Sequence, residues 1–383
     1  MSLKKYLVIL LTFLIVISFS SCQKEDTPIE PDSTENKEID NGIDFNRFKG
    51  EEMLIITVDK FVNELQPFIN YKKSIGMNVV LNTFAAPVGV EAIKNAIQAK
   101  YEKDGLHFII LVGDIEDVPS PYFQGSPSDP SYALLEGDDL IGDALISRIS
   151  VKSYAELKNI VNKLLIYQKG EFRSKDWITN AIVVGTYHFD GVNHTSGITS
   201  VLRNHTSYFK NVYQVLETDQ NPHPDLMNAI ENNGANMIVY NSHGFSDGFY
   251  SIAFKNNHLP ELKTFGNSFP FIHGAACLTG SFEWSVGDCF AEAVLKTGTY
   301  EKPAGPIGML AFSRSTDAAP AMTAQRIAFK ELYFDDKIET IGELCYFSNL
   351  LAMKEFDTAH SEQFYKHWHL FGDCSMSIWK HAE

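Results

Sequence analysis

The sequence alternates short apolar runs with amphipathic stretches, and this alternation restricts the fold more than any other feature. HFIILVGD and ANMIVYNSHG are typical of buried β-strands, because valine, isoleucine and leucine follow one another with few polar breaks. VEAIKNAIQAKYEKDG and SYAELKNIVNKLLIYQKG carry apolar residues at helical spacing and end at glycine. Strands and helices in alternation predict βαβ units, and therefore an α/β fold with mostly parallel sheets flanked by helices.

The alternation is interrupted at a polar stretch near residue 172 and resumes at ITNAIVVGTYH. We therefore expect two α/β sub-domains, residues 46–172 and residues 173–383. With 44% hydrophobic residues, the chain can build a core without disulfide bonds. The cysteines after Cys22 are widely spaced and include no CxxC pair, which indicates neither a disulfide framework nor a structural zinc site.

The N-terminus predicts export. A short basic start precedes the apolar run YLVILLTFLIVISF, and small residues follow it, which is the layout of a secretory signal peptide. A retained membrane anchor is the alternative, although the run is short for a membrane-spanning helix. FSSC resembles a bacterial lipoprotein signal, which implies removal of residues 1–21 and lipidation of Cys22; cleavage and simple secretion is the other interpretation.

The segment after the signal predicts a tether and a location. Residues 22–45 combine acidic residues and prolines with almost nothing to bury, which indicates a flexible acidic linker. QKED after Cys22 resembles the export signal of lipoproteins that reach the outer face of the outer membrane. We therefore expect a lipoprotein of the outer membrane, exposed at the cell surface and held there by an N-terminal lipid. The formal net charge of −16 without a basic stripe argues against nucleic-acid binding. The pattern leaves the oligomeric state open.

Two predicted strands end at side chains that can take part in catalysis. ANMIVYNSHG ends at His243 and Gly244, and PFIHGAAC ends at Cys277. Parallel neighbouring strands bring their carboxyl ends to one edge of the sheet, where α/β proteins present their active sites. The pattern therefore predicts a thiol and an imidazole in one cleft, which fits nucleophilic acyl transfer. Packing roles for both side chains are the alternative.

Longer motifs around these residues resemble the gingipain family of cysteine peptidases. NSHGFSDGFY, AACLTGSFEWSVGDCFAEAVLKTG and GPIGMLAFSRST are similar to the family's catalytic region. FIILVGDIEDVPS, SDPSYALLEGDDLIGDALISRIS and HWHLFGDCSMSIW resemble further family segments in the same order, over roughly residues 50–380. The resemblance implies a caspase-like catalytic sub-domain and a protein or peptide substrate. We expect this chain to depart from the family's usual architecture, as a lipoprotein form without the immunoglobulin-like and sorting domains of secreted members.

The resemblance assigns roles to individual residues. It implies that Cys277 is the nucleophile, His243 the general base and acid, and Gly244 an oxyanion donor. It also implies an acidic residue, after the strand that precedes the pair, that orients the histidine. Asp190 of TYHFDG is the candidate, His188 is a rival, and a solvated loop aspartate is the alternative.

Other residues are expected to be structural. His273 lies in the middle of a predicted strand, and His367 and His369 flank a tryptophan. Cys289 opens the predicted helix CFAEAVL, where apolar neighbours make a thiol unreactive. Asp373 of FGDC is interpreted in the same way, and there a cysteine stands where the family has proline.

The sequence leaves open which residue is preferred before the cleaved bond and whether a structural metal ion is bound. The resemblance places a lysine-selective S1 aspartate near SRSTDAAP, which makes Asp317 the candidate, with capping of the next helix as the alternative. No cofactor is required. Family members bind calcium in acidic loops, and Asp138, Asp139 and Asp143 would supply hard oxygen ligands for a structural calcium ion. The complete calcium-loop pattern is missing, so solvated loop acids are the other interpretation.

The leading hypothesis is a surface-anchored cysteine endopeptidase that forms a thioester at Cys277 and prefers a basic residue, lysine, before the cleaved bond. A transpeptidase would form the same thioester and pass the acyl group to an amine. A non-catalytic surface protein that binds peptides or glycans is a third hypothesis. Hydrolysis, aminolysis or binding without turnover distinguishes the three.

Overall fold

The computed structural model describes residues 44, 46–170, 175–186, 194–205, 207–334, 337–354, 358–377 and 379. The strands are β1 (Glu52–Val58), β2 (Asn78–Phe84), β3 (Phe108–Val112), β4 (Tyr122–Phe123), β5 (Ser126–Pro127), β6 (Leu145–Ile149), β7 (Asn180–Gly185), β8 (Asn211–Leu216), β9 (Met237–Asn241), β10 (Gly244–Phe245), β11 (Gly248–Phe249), β12 (Phe254–Lys255), β13 (Phe271–Ala275), β14 (Gly308–Phe312) and β15 (Trp368–Phe371).

The helices are α1 (Val62–Ser74), α2 (Val90–Asp104), α3 (Tyr154–Lys169), α4 (His194–Asn204), α5 (Pro222–Asn233), α6 (Phe290–Leu295), α7 (Ala318–Ile327), α8 (Ile341–Lys354) and α9 (Thr358–His367). A π-helical turn, Ala328–Tyr333, continues α7. Short 3-10 turns cover Asp59–Phe61, Asp129–Ala133, Asp176–Thr179, Asn256–Glu261 and Phe265–Asn267.

The central sheet contains two parallel halves that run in opposite directions. Its strand order is β2-β1-β3-β6-β15-β14-β13-β9-β7-β8. β15, near the C-terminus, lies between the halves, parallel to β6 and antiparallel to β14. The other pairings in this sheet are parallel. The predicted α/β class with a mostly parallel sheet is confirmed, and the two halves form one continuous sheet.

Helices on both faces explain why the strands are apolar without a break. In β1, Met53 and Ile55 pack into the core on the side of α1 and α3. Leu54 and Ile56 pack into the second core cluster, with Ile93 of α2. Successive side chains of a strand point to opposite faces, so a strand covered on both faces carries apolar residues at most of its positions.

α3 shows how the sequence sets a helix and how that helix joins the halves. Ser153 caps it by accepting a hydrogen bond from the Glu156 amide at 3.3 Å, and the chain leaves the helix at Gly170 with a φ of 68°. Lys163 is fully buried and donates to the carbonyl oxygens of Leu295 and Pro306 at 2.7 and 3.1 Å. α3 therefore belongs to the first half in sequence and supports the second half in space.

The N-terminal predictions concern residues outside the described ranges. The signal segment 1–21, Cys22 and the tether up to residue 43 are all in this category. Across the described ranges, no helix combines the length and the apolar character needed to cross a bilayer. Export and lipidation therefore stay predictions, and so do the sub-domain boundaries.

Candidate active site

His243 and Cys277 occupy equivalent positions at one edge of the sheet. β9 and β13 are parallel neighbours, and Asn241 pairs with Ala275 at the end of the ladder. His243 and Cys277 each lie two residues beyond the end of their strand, where the chain bends or turns. Both residues therefore leave the sheet at the same edge. The prediction that both strands end at the same edge is confirmed, with His243 exposed and Cys277 half-buried.

Gly244 lets the two strand ends approach each other closely. A methyl group on Gly244 would lie 2.4 Å from the carbonyl oxygen of Cys277 and 2.8 Å from the Cβ atom of Ala276. Both distances are far below a normal contact distance. Only glycine therefore fits at position 244 while the chain passes this close to the Cys277 backbone. The glycine required here is the one that the histidine–glycine motif supplies.

The amide of Gly244 is not used by the hairpin in which it lies. β10 and β11 are antiparallel, and Gly244 pairs with Phe249. The Tyr250 amide donates to the His243 carbonyl at 2.9 Å. Hydrogen bonds alternate along an antiparallel ladder, so Gly244 occupies a non-hydrogen-bonded position and its N–H points away from β11. This direction suits the predicted role as an oxyanion donor.

Two tyrosines fix the backbone of His243. Its carbonyl accepts the Tyr240 hydroxyl at 2.6 Å as well as the Tyr250 amide. Tyr240 is fully buried, and its ring stacks on Phe249 with centroids 3.7 Å apart. Burial raises the pKa of Tyr240 well above its usual value, so its hydroxyl stays protonated and keeps donating. The backbone of His243 is thereby held by the buried Tyr240 hydroxyl and by the Tyr250 amide, although the histidine side chain is exposed.

The sulfur of Cys277 lies against the loop that enters α7. The Thr316 amide donates to Sγ at 3.4 Å, and the thiol donates to the Thr316 carbonyl at 3.4 Å. Thr316 immediately precedes Asp317, the N-cap residue of α7. The Thr316 N–H can donate to this sulfur in its thiolate form as well as in its thiol form.

The turn after Cys277 contains a strained residue. Leu278 has a φ of 61°, which is unusual for a residue with a side chain. Its carbonyl accepts bonds from the amide and the hydroxyl of Ser281, at 3.0 and 2.8 Å, and its amide donates to Arg314. Backbone strain of about 1–3 kcal/mol is therefore held in place by the turn, and it redirects the chain directly after the nucleophile.

α6 joins the two loops that carry the pair. The Phe290 amide donates to Ser246 at 2.7 Å, and the Ala291 amide donates to Thr279 at 2.9 Å. The hydroxyl of Ser281 donates to that of Ser246 at 2.9 Å. Both loops are thus fixed to one helix, which maintains the spacing between them.

The third catalytic residue stays a prediction. Asp190 and its rival His188 follow β7, the other neighbour of β9 in the sheet, but both lie outside the described residues.

Asp317 is distant from the nucleophile along the chain, but it lies next to the residue that contacts the sulfur of Cys277. Its neighbour Thr316 touches the sulfur of Cys277, and the Asp317 side chain is 48% exposed. Asp317 occupies the N-cap position of α7 but makes no side-chain capping hydrogen bond. His360 approaches it, with Nε2 at 3.9 Å from Oδ2. The carboxylate is therefore not committed to the capping role that the sequence offered as the alternative.

The acidic loop does not gather its carboxylates at one point. One oxygen of Asp143 accepts the amides of Leu135 and Glu136 at 2.7 and 2.8 Å, and the other is bound by Arg47. Asp139 accepts the Ile141 amide at 2.8 Å, and Asp138 is exposed. No group of three metal-ligating side chains occurs among the described residues. These residues do not fit a calcium site as arranged here.

The residues predicted to be structural are buried. His273 contacts Ser348 at 3.0 Å and Gln325 at 3.1 Å, and burial lowers its pKa to about 3, so it stays neutral. Asp373 forms a buried ion pair with Lys72 at 2.7 Å. The remaining members of this group are also buried: His367, His369, Cys289 and Cys374. None of the four described cysteines forms a disulfide bond.

Sequence reasoning missed the groups that support the pair. Tyr240 is one residue in an apolar strand, and its hydroxyl was the available signal, because a buried hydroxyl needs a partner. Thr316 ends GPIGMLAFSRST, a motif that was recognised without a role for this residue. Nothing local marks Leu278 for a positive φ.

The sequence of this chain is similar to those of known peptidases. A protein-family model described as peptidase family C25 matches residues 47–379. Gingipain R2 of Porphyromonas gingivalis is 26% identical over 343 residues, which is 85% of this chain and 46% of that protein. A Lys-gingipain of the same organism is 25% identical over 260 residues, 64% of this chain and 14% of that protein. The chain thus spans less than half the length of each of these relatives.

The fold is similar to solved structures. The crystal structure of the Arg-specific cysteine proteinase gingipain R superimposes with a TM-score of 0.79 at 23% identity, covering 87% of this chain and 79% of that one. A complex of the pro- and mature domains of a Porphyromonas gingivalis gingipain gives a TM-score of 0.79 at 22% identity, over 86% and 80%. At these identities the likeness shows the fold, and the prediction of a gingipain-like α/β fold is confirmed.

Proposed function

This chain belongs to peptidase family C25, and we propose that it is a cysteine endopeptidase that hydrolyses peptide bonds through Cys277 and His243. The close approach of Gly244, the neighbour of His243, to the backbone of Cys277 at the shared end of β9 and β13 carries the proposal. The Thr316 amide at the sulfur and the fixed backbone of His243 support it.

The proposed reaction has two steps. His243 takes the proton of Cys277, and the thiolate attacks the substrate carbonyl carbon to form a tetrahedral oxyanion. The amides of Gly244 and Cys277 stabilise that oxyanion. The C–N bond then breaks, His243 gives its proton to the leaving amine, and a thioester remains. Water, deprotonated by His243, hydrolyses the thioester and releases the acid and the free thiol.

We also propose that Asp317 selects a lysine at P1, the residue before the cleaved bond. Its half-exposed carboxylate follows the residue that touches the nucleophile, which puts a negative charge near the substrate's P1 side chain. A hydrogen bond between an ammonium group and a carboxylate contributes about 1.5–3 kcal/mol.

The test uses peptides that differ only at P1, with wild type and Asp317→Asn compared. We expect wild type to prefer lysine over leucine, and Asp317→Asn to lower the lysine-to-leucine ratio of kcat/KM by about 10–100-fold. Asp59→Asn serves as the control, because it removes the charge of an exposed aspartate directly after β1. We expect this variant to keep the wild-type lysine-to-leucine ratio of kcat/KM.

Each outcome has a distinct meaning. An unchanged ratio in Asp317→Asn rejects the role of Asp317 and leaves the peptidase proposal standing. No cleavage of any peptide by wild type rejects the peptidase proposal itself. An aminolysis product that dominates when an amine is added would identify a transpeptidase instead.

We further propose that Cys22 carries a lipid that holds the protein at the outer face of the outer membrane. The motif FSSC followed by QKED and an acidic stretch supports this proposal. In cells that express the full chain, Cys22→Ser is expected to move the protein from the membrane fraction to the soluble fraction. Wild type and variant in the same fraction, with equal electrophoretic mobility, would contradict it.

A further inference from the structure

We propose that Phe245 and Tyr250 form an aromatic subsite for an apolar substrate side chain on the leaving-group side of the cleaved bond. The proposal rests on the peptidase function proposed above and names a substrate class that the same site would favour. It is argued from the hairpin that follows His243.

The hairpin places both aromatic residues on the face that carries the histidine. Exposure alternates along this strand: His243 and Phe245 are exposed, and Ser242 and Gly244 are buried. Alternate residues of an extended strand share a face, so the imidazole and the Phe245 ring lie on the same side. The pairing of Gly244 with Phe249 extends to residue 243 opposite Tyr250, whose amide bonds the His243 carbonyl. Tyr250 is therefore the direct cross-strand neighbour of His243.

The two rings are close together and solvent-exposed. Phe245 is 52% exposed and Tyr250 is 62% exposed. Their ring centroids are 6.3 Å apart, within the range of aromatic pairs. Single exposed aromatic residues are common on protein surfaces, and Tyr154 and Tyr122 are examples here. An exposed pair that shares a face with a catalytic residue is a different observation, because substrate must pass over that face.

The other side of the hairpin is firmly anchored. Phe249 stacks on Tyr240 and packs on Phe290, with ring centroids 4.6 Å apart in the second pair. Asp247 forms an ion pair with Lys255 at 3.0 Å. The exposed rings are thus carried on a rigid support, and binding against them requires little ordering of the backbone.

The chemistry of the reaction assigns this subsite to the leaving group. His243 gives its proton to the leaving amine, so the peptide on the amine side of the cleaved bond lies beside the imidazole. The rings next to the imidazole then contact the first residues of that peptide, P1′ and P2′. Flat aromatic surfaces bind aromatic and aliphatic side chains, which indicates a preference for residues such as phenylalanine or leucine there.

The test varies P1′ and P2′ while P1 is kept as lysine. Wild type is expected to cleave peptides with leucine or phenylalanine at one of these positions about 10-fold faster, in kcat/KM, than peptides with glycine. In the Phe245→Ala/Tyr250→Ala double variant this ratio is expected to fall to about 1. Tyr250→Phe keeps the aromatic surface and should keep the ratio. Tyr154→Ala removes an equally exposed tyrosine from α3 and is the matched control.

A second readout separates folding and catalysis from recognition. A peptidyl ketone that occupies only the acyl side should label Cys277 in the double variant, because that ligand does not reach the two rings. Equal kcat/KM in wild type for all residues at P1′ and P2′ would overturn the proposed subsite, and so would an unchanged apolar preference in the double variant. Either result leaves the peptidase proposal intact. Absence of any cleavage by wild type overturns both.

Discussion

Replacing Cys277 by alanine is expected to lower kcat/KM for peptide hydrolysis by at least about 10⁴-fold, because the side chain that would form the thioester is lost. The fold should be unaffected, since the thiol is half-buried and its hydrogen bonds with Thr316 use backbone groups. Hydrolysis of a fluorogenic lysine peptide measures the first effect, and urea denaturation checks the second.

Cys345→Ala is the matched control for this variant. Cys345 is a free, buried thiol in α8, and burial raises its pKa well above the usual value, so it stays protonated and unreactive. This variant should retain full activity. A peptidyl acyloxymethyl ketone should add to wild type and Cys345→Ala, and not to Cys277→Ala. An adduct on another cysteine, or wild-type turnover in Cys277→Ala, would falsify the assignment of the nucleophile.

The second large effect concerns stability, and it arises where the two halves of the sheet meet. Replacing Arg148 by methionine is expected to lower the free energy of unfolding by about 3–5 kcal/mol, because the carboxylate of Asp129 would be left buried without its counter-charge. Arg148 is fully buried and binds both oxygens of Asp129 at 2.7 Å. Burial by itself would raise the pKa of Asp129, and Arg148 outweighs it and holds that pKa well below the usual range.

The position of Arg148 connects this network to the catalytic half. Its backbone pairs with Phe371 of β15, the strand between the halves. Its guanidinium lies 4.8 Å from the ring centroid of Phe282, in the segment that follows the nucleophile. Urea denaturation of wild type and Arg148→Met measures the effect, with Lys49→Met as the control. Lys49 pairs with Glu339 at 2.9 Å, but both side chains are exposed, so no measurable loss of stability is expected.

A double variant tests the mechanism. Arg148→Met combined with Asp129→Leu removes both charges, so it should be more stable than Arg148→Met alone. Equal or greater destabilisation in the double variant would show that packing, and not the unpaired carboxylate, sets the cost.

Much of the fold and part of the site could be predicted from local pattern. β9, which precedes His243, and β13, which precedes Cys277, are mostly apolar and are buried at every position, and both are central strands covered on two faces. The helix from Tyr154 to Lys169 begins at a capping box and ends at a glycine, both visible in the sequence. Local signals of this kind are strong because they depend on neighbours within a few residues.

The support of the catalytic pair could not be predicted in this way. The Thr316 amide reaches the sulfur of Cys277 from a loop 39 positions further along the chain. The carbonyl of His243 receives the hydroxyl of Tyr240, whose direction depends on how the chain turns after β9. The opposite directions of the two halves depend on β15, which enters the sheet from the far end of the sequence.

By itself, the sequence determined the class of fold, the elements that form the sheet, and the two reactive side chains at strand ends. The tertiary structure alone decided which strands are neighbours, the sheet edge that His243 and Cys277 share, and the exposed aromatic pair beside the histidine. The reason is physical. The periodicity of a segment reports which of its faces is buried, whereas the identity of the neighbour on that face depends on contacts between residues distant in the chain.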